Sequence, residues 1–462
     1  MLLYIFWMIL LFSLVICYRL SNREIFSPPV SILLGFLFSS TFAIFNIDRW
    51  YFDMSSDTFW VLTLGIGSFI ITYYVFYIYK RKKEKVTCFT IVTLDDDFYI
   101  KNYKIVLFIF IQAITMYCMY EYISQVAAIY GMESSLSQKI LAYRLASTFP
   151  DKSISVPPVP SYIQRLGVFC SIGSLYFFYK LAIGLVIKKR LYPGSVIIFI
   201  LTICNDLLNG ARGGILMSIL SIAVFAYIFF LRKRNWKVSL TIKNIAEYIM
   251  FIGLGMILFV GLAQLLGRDG TDVDINSLSD ILEQTFIGIS IYAGAELKLL
   301  DIFVVNEYHN LPYTGFAAHT FAQFYQWLGG KLDVPEWQDL YYDDLGFNYV
   351  NAEFLGNVYT MFKVYFADFG FWGVVIFSSL MGLFFSVVYY HVKYRSHTNC
   401  KQKKVDYYLL IYGMTYFSIP LAFFSNWFYQ MLNVGLLWSI LWIIIFPYLF
   451  VTQTSHIENS HT

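Results

Sequence analysis

The residues VIIFILTICNDLL (Val196 to Leu208), NGARGG (Asn209 to Gly214) and ILMSILSIAVFAYIFFL (Ile215 to Leu231) decide how the chain is read. The first and third are apolar runs that read as membrane helices, and the second is a hydrophilic, glycine-loosened break between them. Arg212 must stay charged, and a charge where two membrane helices meet is costly enough to imply a function. The three glycines let the backbone turn tightly and approach another molecule closely. A guanidinium fork beside backbone N–H groups suits a diphosphate. The competing reading pairs Arg212 with Asp206, at the end of the preceding run, and makes it only a pin for the turn.

The composition around this hairpin is that of a membrane protein. Of 462 residues, 58% are hydrophobic and 14% charged, with a mean hydropathy of +0.61. A soluble chain carries about a quarter charged residues. Eleven apolar segments follow one another: Leu2 to Tyr18, Val30 to Ile47, Phe59 to Tyr79, Ile105 to Tyr122, Leu166 to Ile187, Val196 to Leu208, Ile215 to Leu231, Tyr248 to Gly267, Phe371 to Tyr390, Tyr407 to Phe424 and Phe428 to Phe450. The sixth is short, and so either tilted or partly re-entrant. The first lacks a preceding basic residue and a following small-residue cleavage site, which reads as a first span or signal anchor rather than a cleaved peptide. Aromatics make up 20% of the chain, so no single one carries weight. The six cysteines fall in spans or basic loops, with neither a disulfide framework nor metal-ligand spacing.

Lys and Arg set the orientation. The loops after odd-numbered segments hold 22 of them and the longer loops after even-numbered segments hold ten. Positive residues stay in the cytoplasm, so the N-terminus is outside and the C-terminus inside. Arg212 then lies on the outer face with two substantial loops. Residues 123–165 carry an amphipathic pattern from Ser135 to Thr148 and a proline-rich return, the makings of a lid. Residues 268–370 hold 15 of the 30 acidic residues and include a helical-looking stretch, Leu278 to Val304, that reads as a dip into the membrane. The chain divides into N-terminal helices (1–122), the lid loop (123–165), central helices with the Arg212 turn (166–267), the acidic loop (268–370) and C-terminal helices (371–462).

Several outer residues bear chemistry. Arg268 is either a second phosphate grip or an interfacial cation beside Asp269, and Arg165 and Arg144 are candidates of the same kind. Asp368, Glu353 and His319 are rival general bases. Asp368 also reads as an ordinary helix N-cap, stabilising by about 1 kcal/mol. Trp327, Trp337, Tyr341 and Tyr342 either stack on sugar rings or belong to the interfacial aromatic belt. Asp272-Val273-Asp274 has the look of a metal-binding pair, but a lone triplet in an acidic loop carries little, and Asp95-Asp96-Asp97 reads as solvated charge. Lys180, close to an inner basic cluster, reads as snorkelling.

The span count, the Asn209 to Gly214 turn opening an apolar helix, the large late outer loop, and Asn357-Val358-Tyr359-Thr360 followed by Asp368-Phe369-Gly370 and Gly373 together resemble the bacterial oligosaccharide repeat-unit polymerases of the O-antigen (Wzy) type. The expected class is an all-α polytopic integral membrane protein of about 11 transmembrane helices (10–12), with one large and one medium periplasmic loop. The resemblance implies a metal-independent glycosyltransferase of the bacterial inner membrane, active at the periplasmic face and without a cofactor. It would move a growing glycan from undecaprenyl diphosphate onto the next lipid-linked repeat unit. The phosphate-binding role carries over to Arg212, with Arg268 second; Asn357 matches the pattern and is assigned to substrate. Implied partners are undecaprenyl-diphosphate-linked oligosaccharides, membrane lipids, a chain-length regulator and a flippase, and no nucleic acid. An O-antigen ligase shares this logic. A flippase or transporter would carry ionisable residues along several mid-spans and inverted repeats, whereas here unpaired charge gathers at the outer face.

Overall fold

The structure is a computed structural model that describes residues 1–83, 98–148, 156–210, 212–237, 278–308, 315–343, 348–350, 353–394 and 405–452. Its helices are α1 (Leu2–Leu20), α2 (Pro28–Phe45), α3 (Ser56–Lys83), α4 (Asn102–Tyr130), α5 (Leu136–Thr148), α6 (Ser161–Ile183), α7 (Pro193–Leu208), α8 (Arg212–Lys233), α9 (Leu278–Ile302), α10 (Ala322–Leu332), α11 (Pro335–Asp343), α12 (Phe362–Lys393), α13 (Tyr407–Thr415), α14 (Trp427–Gln430) and α15 (Val434–Phe450). Two small antiparallel ladders join β1 (Tyr99–Ile100) to β4 (Val451–Thr452), and β2 (Asn348–Val350) to β3 (Glu353–Gly356). Among the described residues seven helices are long and apolar enough to cross a membrane, and α7 and α15 are shorter apolar helices. The expected eighth span, Tyr248 to Gly267, lies outside the described residues, as do Asp95 to Asp97 and Asp272 to Asp274.

Sequence explains most boundaries. Prolines at the first turn start α2 and α7, where their missing N–H costs nothing. Gly131, at φ +66°, ends α4, which runs eight residues past the expected Tyr122. The expected tenth span is not one helix. Pro420 cannot donate to the carbonyl of Tyr416, and α13 stops at Thr415 and continues as a 3-10 turn (Tyr416–Ser418). The carbonyl of Pro420 then takes the place a side chain on Gly35 would occupy, so α2 and the broken segment meet backbone to backbone. Pro447 inside α15 leaves the carbonyl of Ile443 without its helical donor, and the hydroxyl of Tyr176 on α6 supplies one. The helical stretch expected to begin at Leu278 is α9. Near its outer end Gly294 abuts the backbone of Phe42 and Ala43 in α2, and Asp301 accepts the N–H of Ser55 at 2.9 Å.

The described flanks of the loops expected to be cytoplasmic meet at one end of the bundle. There Lys393 lies 2.5 Å from Glu24, which also accepts the hydroxyl of Tyr389 at 2.6 Å, and all three are buried. Arg232 pairs with Asp406 at 2.5 Å and donates to the carbonyl of Val392. Lys180 does not snorkel. It is 7% exposed and donates to the carbonyl of Phe98 at 2.8 Å, close to the β1–β4 ladder. Removing one partner of a buried pair strands the other charge, at a cost of about 3–5 kcal/mol. Lys393→Met should therefore sharply reduce monodisperse protein after detergent extraction and lower its melting temperature. Adding Glu24→Gln to that variant should restore most of both, measured by fluorescence-detected size exclusion with a thermal ramp.

Candidate functional site

At the opposite end of the bundle the turn between α7 and α8 is built by its glycines. Gly210 has φ +63° and donates to the carbonyl of Leu207 at 2.9 Å, so α7 closes with a left-handed cap. Arg212 opens α8, and the conformation of its side chain lies outside the described residues. Gly214 serves an approach within the chain: a Cβ there would stand 2.7 Å from the carboxyl carbon of Asp206. The Asp206 carboxyl thus sits against the first turn of α8, where the helix dipole favours a negative charge. Gly213 faces the indole of Trp427, 3.6 Å from where its Cβ would be. Helix α5 covers the turn, with Ile140 Cγ2 3.5 Å from the Cβ position of Gly210 and Tyr143 packed edge-on against Tyr122 of α4. The helix expected over Ser135 to Thr148 is thus α5, folded down on the turn.

Beneath the turn a cavity of about 490 Å³ runs from Gln430 and Asn433, at this end, to Gln112 in the middle of α4. Asn205, Asp206 and Gly214 line its outer part. Gln112 is 4% exposed; its amide donates to Ser174 at 2.8 Å and Thr202 at 3.2 Å, while its Oε1 has no partner. The buried Nε1 of Trp427 also lacks one. Asp206 makes no hydrogen bond or ion pair with any described residue. Buried polar atoms are ordinarily satisfied, which makes Gln112 Oε1 and Trp427 Nε1 exceptions.

The expected bases are engaged elsewhere. Glu353, on β3, takes the guanidinium of Arg49 in a two-point grip, with Nε 2.8 Å from Oε2. This ties the β2–β3 ladder to the segment after α2. Asp368 does not cap its own helix. It accepts the backbone N–H of His319 at 3.0 Å and both the N–H and the hydroxyl of Thr320, at 2.7 and 2.5 Å. His319 itself is buried in the turn that Asp368 holds. The Asp368-Phe369-Gly370 motif is a sharp bend inside α12, with Gly370 at φ +57° and Gly373 packed on the carbonyl of Tyr365. The anchored turn reaches the cavity wall: Asn426 donates to the carbonyl of Thr320 at 3.2 Å, and Asn433 to Gln323 at 2.7 Å.

The remaining expected residues scatter. Arg165 is exposed on α6 and stacks on Trp438, 5.3 Å from the ring centroid. Trp337 packs edge-on against Tyr325 within the α10–α11 hairpin, while Trp327 is 43% exposed. Asn357 follows β3 at a bend. Arg268 and the side chains of Tyr341 and Tyr342 lie outside the described residues. Sequence reading missed Gln112, Asn433 and Arg49, and used Asp206 only as a possible partner of Arg212. For Gln112 the signal was available, a carboxamide inside the apolar run Ile105 to Tyr122. Hydrogen bonds to a charged group contribute about 1.5–3 kcal/mol each. Asp368→Ala should therefore release the His319–Thr320 turn and speed proteolytic cleavage within residues 315–343 at least tenfold, scored by limited proteolysis in detergent.

No curated protein and no solved structure matches the chain. A family model does, that of the O-antigen polysaccharide polymerase Wzy, over residues 1–314. The matched stretch contains the Asn209 to Gly214 turn, Asp206 and Gln112, and ends before Asn357 and Asp368. With more than half of its length matched in this way, this multi-pass membrane chain belongs to the O-antigen polysaccharide polymerase Wzy family.

Proposed function

We propose that this chain polymerises lipid-linked oligosaccharide repeat units at the periplasmic face of the bacterial inner membrane. It transfers the growing glycan from undecaprenyl diphosphate to the non-reducing end of the next undecaprenyl-diphosphate-linked repeat. The observation that carries the reading is the glycine-built turn that opens α8 with Arg212, inside the family match and above a cavity that Asn205, Asp206 and Gly214 help to line.

The chemistry asks little of the protein beyond placement and charge. A lipid diphosphate is already a good leaving group, so the barrier falls chiefly through stabilisation of the charge that develops on it. Arg212 supplies a fork for two phosphate oxygens, and the first N–H groups of α8 add the positive end of a helix of 22 residues. Arg268 is the second cation assigned to the diphosphate. Arg165, stacked on Trp438, is a third candidate for the diphosphate. Trp327 and Asn357 are assigned to the sugars. Polyprenyl tails lie along apolar grooves between helices, in lipid. No metal is assigned to the step, and a chain-length regulator and a flippase are the expected partners in the membrane.

Arg212→Lys keeps the charge and loses the fork. In cells that make the polysaccharide, this variant should accumulate normally in the membrane. Its long chains should nonetheless fall at least tenfold, leaving single-repeat caps on a gel of the surface glycan. A normal ladder would remove Arg212 from the diphosphate. Deletion of the gene separates the enzyme readings: single-repeat caps mark a polymerase, and loss of all attached glycan marks a ligase or flippase.

A further inference from the structure

We propose that the cavity beneath the turn takes the acceptor sugar, and that Asp206 is the general base that removes the proton from its attacking hydroxyl. The proposal rests on the polymerase reading and names the acceptor site and base within it.

The cavity wall is largely apolar, and the polar groups set into it suit a polyhydroxylated guest. Its volume of about 490 Å³ lies within the range of small-molecule sites, roughly 300–1,000 Å³. Its wall offers an unpartnered acceptor, Oε1 of the almost fully buried Gln112, and an unpartnered donor, Nε1 of Trp427. A sugar hydroxyl both donates and accepts, so it satisfies either group, which an apolar lipid tail would leave bare. Asn205 and Gln430 add carboxamides of the same dual character.

Within this wall Asp206 is the carboxylate, and it pairs with no described residue. Its carboxyl carbon lies 2.7 Å from the Cβ position of Gly214, two residues after Arg212, so base and diphosphate grip share one helical turn. Glu353 and Asp368, by contrast, have both oxygens occupied by Arg49 and by the His319–Thr320 turn. In the step, the acceptor oxygen bonds to the anomeric carbon of the donor glycan. The bond from that carbon to the diphosphate oxygen breaks, and its electron pair leaves with the diphosphate. The hydroxyl proton passes to the Asp206 carboxylate and from there to water.

The test uses the full-length protein reconstituted in lipid, with undecaprenyl-diphosphate-linked repeat units extracted from a strain that makes them. Asp206→Asn should lower kcat by about 10²- to 10⁴-fold with little change in KM, the usual loss on removing a general base. Asp206→Ala should regain turnover in added formate. An Asp206→Asn protein that keeps more than a tenth of wild-type kcat overturns the assignment while the polymerase reading stands. Failure of the wild-type protein to extend any chain sinks that reading instead. Should neither neutral variant accumulate, Asp206→Glu decides. Normal accumulation with kcat at least tenfold lower at unchanged KM supports the base. Wild-type turnover marks a carboxylate that only pins α8, and so overturns it.

Discussion

A backbone that leaves the helix at membrane depth must find partners for its freed amides and carbonyls inside the protein, because lipid offers none. The segment from Tyr416 to Phe424 is such a place. It loses helical continuity at Pro420, and the bundle closes around it: Gly35 of α2 admits its backbone, Met361 donates to the carbonyl of Ala422 at 2.9 Å, and the hydroxyl of Tyr416 meets Ser31 at 2.7 Å. Irregular backbone of this kind is tolerated where it is buried in protein or lines a cavity. Here it leads directly into Trp427, Gln430 and Asn433, which line the cavity beneath the α7–α8 turn. The break in the tenth apolar segment and the existence of the cavity are two sides of one solution.

Charge is distributed by the same logic. At the basic end, Glu24 with Lys393 and Asp406 with Arg232 are buried and matched, which fixes how the helices close there. At the opposite end, Arg49 with Glu353, and Asp368 with the His319–Thr320 turn, fasten described parts of residues 268–370 onto the bundle. The turn held by Asp368 is in turn bonded to Asn426, next to Trp427. Glu353 and Asp368, the acidic residues singled out from the sequence, are thus both engaged in holding elements together.

How much of this was legible depended on the range of the interaction. Helices α1 to α4, α6 to α8 and α12 could be read because each rests on a local run of apolar residues, and local composition suffices for that. The basic residues at the described helix ends, such as Lys80, Arg232 and Lys393, likewise lie together at one end. The break after Thr415 lies in a run as apolar as its neighbours, and only Pro420, four residues beyond Tyr416, betrayed it. Lys180 was read as snorkelling because its partner, the carbonyl of Phe98, is distant in sequence and brought near by the β1–β4 ladder. Arg49 and Glu353 stand on elements far apart in the chain, so neither could announce the other. The Asn209 to Gly214 turn was recognised, yet the reason for Gly214 was not. Its missing side chain makes room for Asp206, and that contact exists only once α7 and α8 lie side by side.

That contact also bears on why the proposed base is Asp206 rather than Glu353 or Asp368. In the proposed step a negative charge leaves Asp206 and an equal one appears on the departing diphosphate, so the site as a whole keeps its charge. In a low-dielectric setting a short transfer of this kind, beside Arg212 and the positive end of α8, costs far less than creating or destroying a charge outright. Protonating Glu353 would instead leave the Arg49 guanidinium without its partner, and protonating Asp368 would remove an acceptor from the turn it holds. A carboxylate can trade its charge with the leaving group only if nothing else in the protein depends on that charge. Among the described residues, the Asp206 carboxylate has no hydrogen-bond or ion-pair partner to strand, whereas each of the two carboxylates singled out from the sequence has one.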